Sequence, residues 1–173
     1  ENHQSGTDRI YEALNIFDQN QAIEKVINLQ GDLPTINQFA LKEVLNLLNN
    51  TEVDIGTLVA PFKDFDEMQK AQYVKAECHF KSNNIKARAN NFTRIASKEK
   101  MKNLYHHVGI YSYRREALEK FVKLKQTNRE KEEKLEQLRA IENNMHIEVS
   151  LINSPILGID TQEDLDNIRE IQK

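Results

Sequence analysis

The sequence predicts an α/β fold: a mixed, mostly parallel sheet flanked by helices, built as a single domain over residues 1–173. Three observations predict it. Short apolar runs of strand length alternate with segments whose apolar residues recur at helical spacing. Two of the runs, Val26-Ile27-Asn28-Leu29-Gln30-Gly31-Asp32 and Leu157-Gly158-Ile159-Asp160, each bring an aspartate to the point where a strand should end. Hydrophobic residues make up 39% of the chain and charged residues 29%, with only 3 Pro and 5 Gly, which excludes disordered and fibrous classes.

The elements follow in order. Ile10, Ala13, Leu14 and Phe17 give helical spacing from Asp8 to Asn20. Lys25 to Leu29 reads as a short strand, turned by Gly31 to Pro34. Asn37 to Leu48 is strongly amphipathic through Phe39, Val44, Leu45, Leu47 and Leu48. Ile55, Leu58 and Val59 make Asp54 to Pro61 strand-like, and Phe65 to Ala71 reads as a short helix. Val74 to Phe80 and Ile85 to Ala89 are strands joined by a turn at Ser82-Asn83-Asn84. Ser97 to Asn103 is a charged loop, in which a run of lysines reads as a solvated face. Val108 to Tyr113 alternates as a strand. Two helices are expected at Arg115 to Leu124 and at about Glu130 to Asn143, then a strand from Ile147 to Ile152. A last helix begins near Thr161, where Thr161 and Asp164 have the spacing of a capping box. There is no internal repeat and no linker.

Composition narrows the function classes. A net charge of −3 with no long basic stretch argues against a nucleic-acid surface. A single cysteine, Cys78, cannot form an internal disulfide and favours a reducing compartment. No apolar run approaches the ~20 residues that span a bilayer, so no membrane partner is expected. The start does not read as a signal peptide and carries no initiator Met, so residues are expected upstream of Glu1.

Ligands of open α/β sheets bind beyond the carboxyl ends of the strands. Asp32 and Asp160, brought there from distant parts of the chain, can hold one Mg2+ with a phosphate between them. Aspartate also favours turns and helix N-caps for purely local reasons. His107 and Tyr111, four apart on one strand, share a face opposite Val108 and Ile110. Neighbouring His106 points the other way, which rules out a His106–His107 metal pair.

Five segments stand out in order along nearly the whole chain: His3-Gln4-Ser5-Gly6-Thr7-Asp8-Arg9, Asn28-Leu29-Gln30-Gly31-Asp32-Leu33-Pro34, His107-Val108-Gly109-Ile110-Tyr111-Ser112-Tyr113-Arg114, Leu135-Glu136-Gln137-Leu138-Arg139 and Ile159-Asp160-Thr161-Gln162-Glu163-Asp164-Leu165. Together they resemble the 3-deoxy-manno-octulosonate (KDO) cytidylyltransferases, the CMP-KDO synthetases. The Leu-Glu-Gln-Leu-Arg element favours KDO over neuraminic acid.

The resemblance implies a Rossmann-like fold of the nucleotide-diphospho-sugar transferase type. It also implies an Mg2+-dependent transfer of CMP from CTP to KDO, releasing pyrophosphate for lipopolysaccharide synthesis in a cytoplasmic homodimer. In its terms Asp32 and Asp160 are the catalytic metal ligands, and Gln4, Ser5 and Gly6 recognise cytosine. Gln30, Arg94, His107, Tyr111, Glu136 and Gln137 form the sugar-acid pocket, with Glu130 matching a further family acid. For Gln4, Ser5 and Gly6 the local alternative is a polar helix entry capped by Ser5 or Thr7. For His107 and Tyr111 it is ordinary core packing, and for Glu136 and Gln137 a solvated helix face.

The sequence departs from the family pattern twice. It lacks the family's initial strand and Pro-Ala-Arg-x-x-Ser-x-Arg loop, which holds the triphosphate. Residues 1–173 alone are therefore expected to turn CTP over poorly. After Phe92-Thr93-Arg94, Ser97-Lys98 stands where Ile-Pro is usual, which weakens the assignment of Arg94. Two alternatives remain: a related CTP-dependent enzyme for another sugar acid, such as neuraminate, and a non-catalytic sugar-binding or dimerisation remnant.

Overall fold

The computed structural model describes residues 3, 5–153, 156, 158–159 and 162–171. Six strands form one sheet: β1 (Lys25–Asn28), β2 (Ile55–Ala60), β3 (Lys75–Cys78), β4 (Lys86–Thr93), β5 (Leu104–Arg114) and β6 (Ile147–Leu151). The helices are α1 (Gly6–Phe17), α2 (Gln38–Asn46), α3 (Phe65–Gln69), α4 (Arg115–Lys123), α5 (Asn128–Glu133), α6 (Gln137–Glu142) and α7 (Gln162–Ile171). Lys98–Asn103 forms 3-10 turns where the sequence suggested a loop.

The strand order is β1-β5-β2-β6-β4-β3, and the start of β5 also pairs with β3. The sheet is mixed, as expected, but it is not mostly parallel. β2 and β6 are the one parallel pair among the described residues. The remaining ladders, β1–β5, β2–β5, β3–β4, β3–β5 and β4–β6, are antiparallel. The cause is placement rather than direction. β1, β2, β3 and β6 all run the same way, but β5 inserts between β1 and β2, and β4 separates β6 from β3.

β2 is buried along its whole length because helices cover both faces of the sheet. On one face Ile55 and Val59 pack with Leu14 of α1, Leu118 and Phe121 of α4, and Leu138 of α6. On the other, Leu58 and Ala60 pack with Ala40 and Val44 of α2 and with Leu33. The period-two alternation of β2 thus supplies two cores.

Gly56 is where α2 comes closest to the sheet. A Cβ there would lie 2.5 Å from Ser112 Oγ, 2.9 Å from the Val44 carbonyl oxygen and 3.0 Å from Leu47 Cβ. It would intrude on the hydrogen bond that Ser112 Oγ donates to the Val44 carbonyl at 2.6 Å. Gly56→Ala is expected to lower stability by about 1–3 kcal/mol through overpacking, read by urea denaturation. An unchanged midpoint would refute this account of the contact.

The expected helix from Glu130 to Asn143 is divided. A capping box between Thr127 and Glu130 starts α5, and Lys134 adopts a left-handed conformation (φ 55, ψ 48) that ends it. The Leu135 N–H then bonds the Glu130 carbonyl at 3.2 Å. The break puts Glu136 at the corner between two helices instead of on the flank of one.

β5 contains an irregularity that matters for the site. Thr57 pairs with Tyr111, but the next residue, Leu58, pairs with Val108. Two extra residues of β5, Gly109 and Ile110, are accommodated between them. An even number preserves the alternation of faces. His107 and Tyr111 therefore still share a face, while Val108 and Ile110 lie in the opposite core.

Candidate functional site

The first turn of α1 meets the carboxyl end of β1. Ser5 caps α1: its Oγ accepts from the Asp8 N–H at 3.3 Å and donates to Asp8 Oδ2 at 2.9 Å. The local alternative of a polar helix entry is thus realised in the Ser5 side chain. Gly6 lies directly over Gln30, and a Cβ on Gly6 would fall 3.0 Å from Gln30 Nε2. The absent side chain lets the Gln30 amide lie flat against the helix start.

From Gln30 a buried polar network runs inward. Gln30 Nε2 donates to Asn28 Oδ1. Asn28 Nδ2 donates to Thr7 Oγ1 at 3.4 Å, and Thr7 Oγ1 donates to Glu136 Oε1 at 2.7 Å. The Tyr113 phenol lies 3.3 Å from the same Thr7 oxygen. Thr7 is fully buried, and Asn28 and Tyr113 are within 2% of it. The second oxygen of Glu136, Oε2, is buried with no hydrogen-bond partner among the described residues. Such an oxygen carries a desolvation cost unless a ligand donates to it. Gln137 is also buried, so neither Glu136 nor Gln137 lies on a solvated helix face.

Tyr111 stands beside this network. Burial pushes its phenol well above the usual tyrosine range, and the Glu136 carboxylate adds to the effect. It is a protonated donor at neutral pH. His107 is next along the same face, its ring centroid 5.4 Å from Tyr111 and 5.0 Å from Phe92. His107 Nε2 lies 3.1 Å from Thr57 Oγ1. The Thr57 hydroxyl has one proton and lies 2.7 Å from the Ile110 carbonyl and 3.1 Å from the Val108 carbonyl, both acceptors only. That proton goes to a carbonyl, so His107 Nε2 must be the donor to Thr57. Its Nδ1 is left as an acceptor.

Burial, reinforced by the neighbouring His106, depresses the His107 pKa to about 3. Between pH 6.5 and that value the unfolded chain binds a proton at this residue that the folded chain does not. His107 therefore contributes stability above pH 6.5 that is lost as the pH falls. The slope is at most about 1.4 kcal/mol per pH unit. His107→Gln is expected to flatten the stability–pH curve between pH 6.5 and 5, measured by urea denaturation at fixed ionic strength. An identical slope in the variant would contradict the burial account.

His106 lies on the opposite face, stacked on Phe62 at 5.3 Å and tilted against Tyr73 at 4.7 Å. The two histidines do not form a pair, as the strand geometry required.

Asp32 is exposed in the turn that follows β1. Its carbonyl accepts from the N–H of Ile159 at 2.9 Å, and Gly158 lies over the same carbonyl. The segment immediately preceding Asp160 in sequence is thus tied to the main chain of Asp32. Asp160 itself, Gln4 and Thr161 lie outside the described residues, as does the capping box suggested there. No group of three or more His, Cys, Asp or Glu among the described residues could hold a metal ion.

Arg94 is placed differently from the expectation. Its Nε donates to the Glu133 carbonyl at 3.0 Å, and its Nη1 lies 3.2 Å from the Ala71 carbonyl and 3.4 Å from that of Gln72. The guanidinium braces the end of α5 and the turn after α3, so most of its donors are spent on main chain. Exposed carbonyls at a helix end attract such a cation. Lys75, fully buried, adds to the brace by donating to the carbonyls of Lys70, Tyr73 and Arg94 at 2.7 to 2.8 Å. Burial and the charge of Arg94 lower its pKa.

Glu130 lies beneath the network, paired with Arg139 through Nε at 2.9 Å and through Nη2. A cavity of about 380 Å³ is lined by Ser5, Glu130, Lys134, Leu135 and Glu136 among others. The sequence offered Thr7 only as a candidate helix cap and did not single out Asn28 or Tyr113, although each falls inside a motif quoted for its neighbours. The signal for Asn28 was a polar residue within an apolar strand, which a buried partner has to satisfy.

A family model described as cytidylyltransferase matches residues 1–147. The 3-deoxy-manno-octulosonate cytidylyltransferase of Bartonella bacilliformis is 48% identical over 169 residues, spanning 98% of this chain and 69% of that protein. Its counterpart from Brucella anthropi is 45% identical over 169 residues, spanning 98% and 68%. The solved structure of CMP:2-keto-3-deoxy-manno-octonic acid synthetase complexed with CTP is similar at TM-score 0.82 and 28% identity, covering 99% of this chain and 69% of that one. Apo UDP-glucose pyrophosphorylase, at TM-score 0.62 and 12% identity over 95% of this chain and 61% of that one, shares the fold, which is that of the nucleotide-diphospho-sugar transferases. The chain therefore belongs to the 3-deoxy-manno-octulosonate cytidylyltransferase family.

Proposed function

We propose that the protein transfers CMP from CTP to KDO. The anomeric hydroxyl oxygen of KDO bonds to the α-phosphorus, the bond from that phosphorus to pyrophosphate breaks, and the hydroxyl proton is lost. One observation carries the reading. Gln30, just past the carboxyl end of β1, is joined to Glu136 by hydrogen bonds through Asn28 and Thr7, and Gly6 at the start of α1 lies against the Gln30 amide. The Gly6 of the nucleotide-side motif thus packs directly on a hydrogen-bonded chain that joins two sugar-side residues.

The residues present suit the hydroxyls of a polyhydroxylated substrate. Glu136 Oε2 accepts from a hydroxyl, the protonated Tyr111 phenol donates, and His107 Nδ1 accepts. None of them has to act as a nucleophile, because phosphoryl transfer depends on positioning and charge neutralisation. The exposed turn carboxylate of Asp32, with the Ile159 segment bonded to its main chain, offers hard oxygen chemistry suited to Mg2+, and Asp160 would complete it. Bound there, Mg2+ would neutralise charge on the phosphate oxygens. A two-carboxylate site completed by phosphate and water needs no larger cluster of protein ligands. The motif resemblance supports the further reading of a cytoplasmic homodimer whose product feeds lipopolysaccharide synthesis. No helix of the described residues is long and apolar enough to cross a membrane.

The test is pyrophosphate release from CTP by the full-length protein, with the residues upstream of Glu1 included, in the presence of Mg2+ and with KDO or N-acetylneuraminate as acceptor. Release with KDO alone is expected. Release with neuraminate alone would transfer the assignment to that sugar acid, and release with neither would support a non-catalytic module.

A further inference from the structure

We infer that Thr7 is a positioning residue for the sugar acid, its hydroxyl orienting Glu136; the role rests on the reaction proposed above. A threonine hydroxyl donates once and accepts twice. Thr7 Oγ1 has three side-chain neighbours: Glu136 Oε1 at 2.7 Å, the Tyr113 hydroxyl at 3.3 Å and Asn28 Nδ2 at 3.4 Å. The carboxylate can only accept, so the Thr7 proton goes to Glu136. Asn28 Nδ2 can only donate, and Tyr113 must donate as well. With Gln30 donating to Asn28, every proton in the network is directed toward Glu136.

This one-way order has two consequences. Glu136 Oε1 receives a fixed, buried donor, which sets the plane of the carboxylate. Oε2 is left buried and without a partner among the described residues, an acceptor that a substrate hydroxyl can satisfy. Aligned donors in a low-dielectric interior also reinforce one another. Thr7 directly follows Gly6 in the first turn of α1, so the same short segment serves the helix start and the sugar pocket.

Thr7→Val keeps the shape and removes the proton, whereas Thr7→Ser keeps the proton and removes a methyl. In steady-state assays of pyrophosphate release by the full-length protein, Thr7→Val is expected to raise KM for KDO by about tenfold or more, the loss of one charge-assisted hydrogen bond. KM for CTP should stay within about twofold in that comparison, and Thr7→Ser should restore most of the KDO affinity. A purely structural role would lower the melting temperature and affect both substrates alike. Should Thr7→Val fail to fold, Tyr113→Phe removes one donor to Thr7 and should raise KM for KDO alone. An unchanged KM for KDO in the variant that folds, equal losses for both substrates, or no rescue by serine would each overturn the role. Wild-type turnover separates the two readings. An active wild type with an unaffected Thr7→Val removes only this role, whereas an inactive wild type removes the assigned reaction and this role with it.

Discussion

In the full-length protein, Asp32→Asn is expected to lower pyrophosphate release from CTP and KDO by about 1,000-fold, the scale of losing one preorganised electrostatic contact to charge developing at a reacting centre. The substitution keeps the size of the side chain and removes its charge. Asp32 is exposed, and the hydrogen bond it gives the fold uses its carbonyl, which asparagine retains. Stability should therefore change by no more than about 0.5 kcal/mol. A turn residue with no catalytic part would leave turnover normal, with stability equally unchanged, so the rate alone separates the two readings and the stability confirms that the variant is folded. Steady-state kinetics and urea denaturation on the same preparation supply both, and a rate within tenfold of wild type would remove Asp32 from the chemistry.

Glu130→Ala is expected to produce the largest loss of stability, about 3–5 kcal/mol. Glu130 and Arg139 are 3% and 1% exposed, and the Arg139 guanidinium also lies 4.5 Å from the centre of the Phe121 ring. Removing the carboxylate leaves a cation buried without its partner. It also dismantles the capping box that starts α5. The neutral pair Glu130→Met with Arg139→Leu should recover most of the loss, because no charge is then left stranded. Urea denaturation of both variants is the measurement. A loss below about 1 kcal/mol in Glu130→Ala would mean that water reaches the arginine. The pair also shows why Glu130 was hard to weigh from sequence. It sits in Arg129-Glu130-Lys131-Glu132-Glu133-Lys134, a run of charges in which it is the buried residue.

Much of the architecture was legible because each strand is bounded by a change of period. β2 is a compact apolar run, and the turn around Asn83, at φ 63, takes the left-handed conformation that asparagine tolerates. β4 runs on to Thr93, past the expected end at Ala89, because Asn90 and Asn91 disguise a strand. Asn91 lies within hydrogen-bond reach of Arg129, whose Nη2 donates to it at 3.0 Å. The break after Glu133 was invisible for the opposite reason. Lys134 takes a left-handed conformation that sequence rules reserve for glycine or asparagine, and nothing in a charged run announces it. Sheet direction was misjudged because strand order is a long-range property. No local pattern tells that β5 inserts between β1 and β2.

The site was legible where residue type and position agreed. Gly6, Gln30 and Glu136 do converge, although they come from three motifs widely separated in sequence. Arg94 was not, because an arginine near a pocket and an arginine bracing helix-end carbonyls look alike in one dimension. Thr7 was legible only as a candidate helix cap, because its importance lies in satisfying three partners at once, and that count exists only in the folded chain.

The convergence of Asp32 and Asp160 on one cation can be measured without turnover. Mn2+ can stand in for Mg2+ and be titrated by electron paramagnetic resonance with CTP present. The expected result is one tight Mn2+ site in the wild-type protein, lost in Asp32→Asn and lost again, separately, in Asp160→Asn. A tight site that survives both substitutions would show that these two carboxylates do not share the ion.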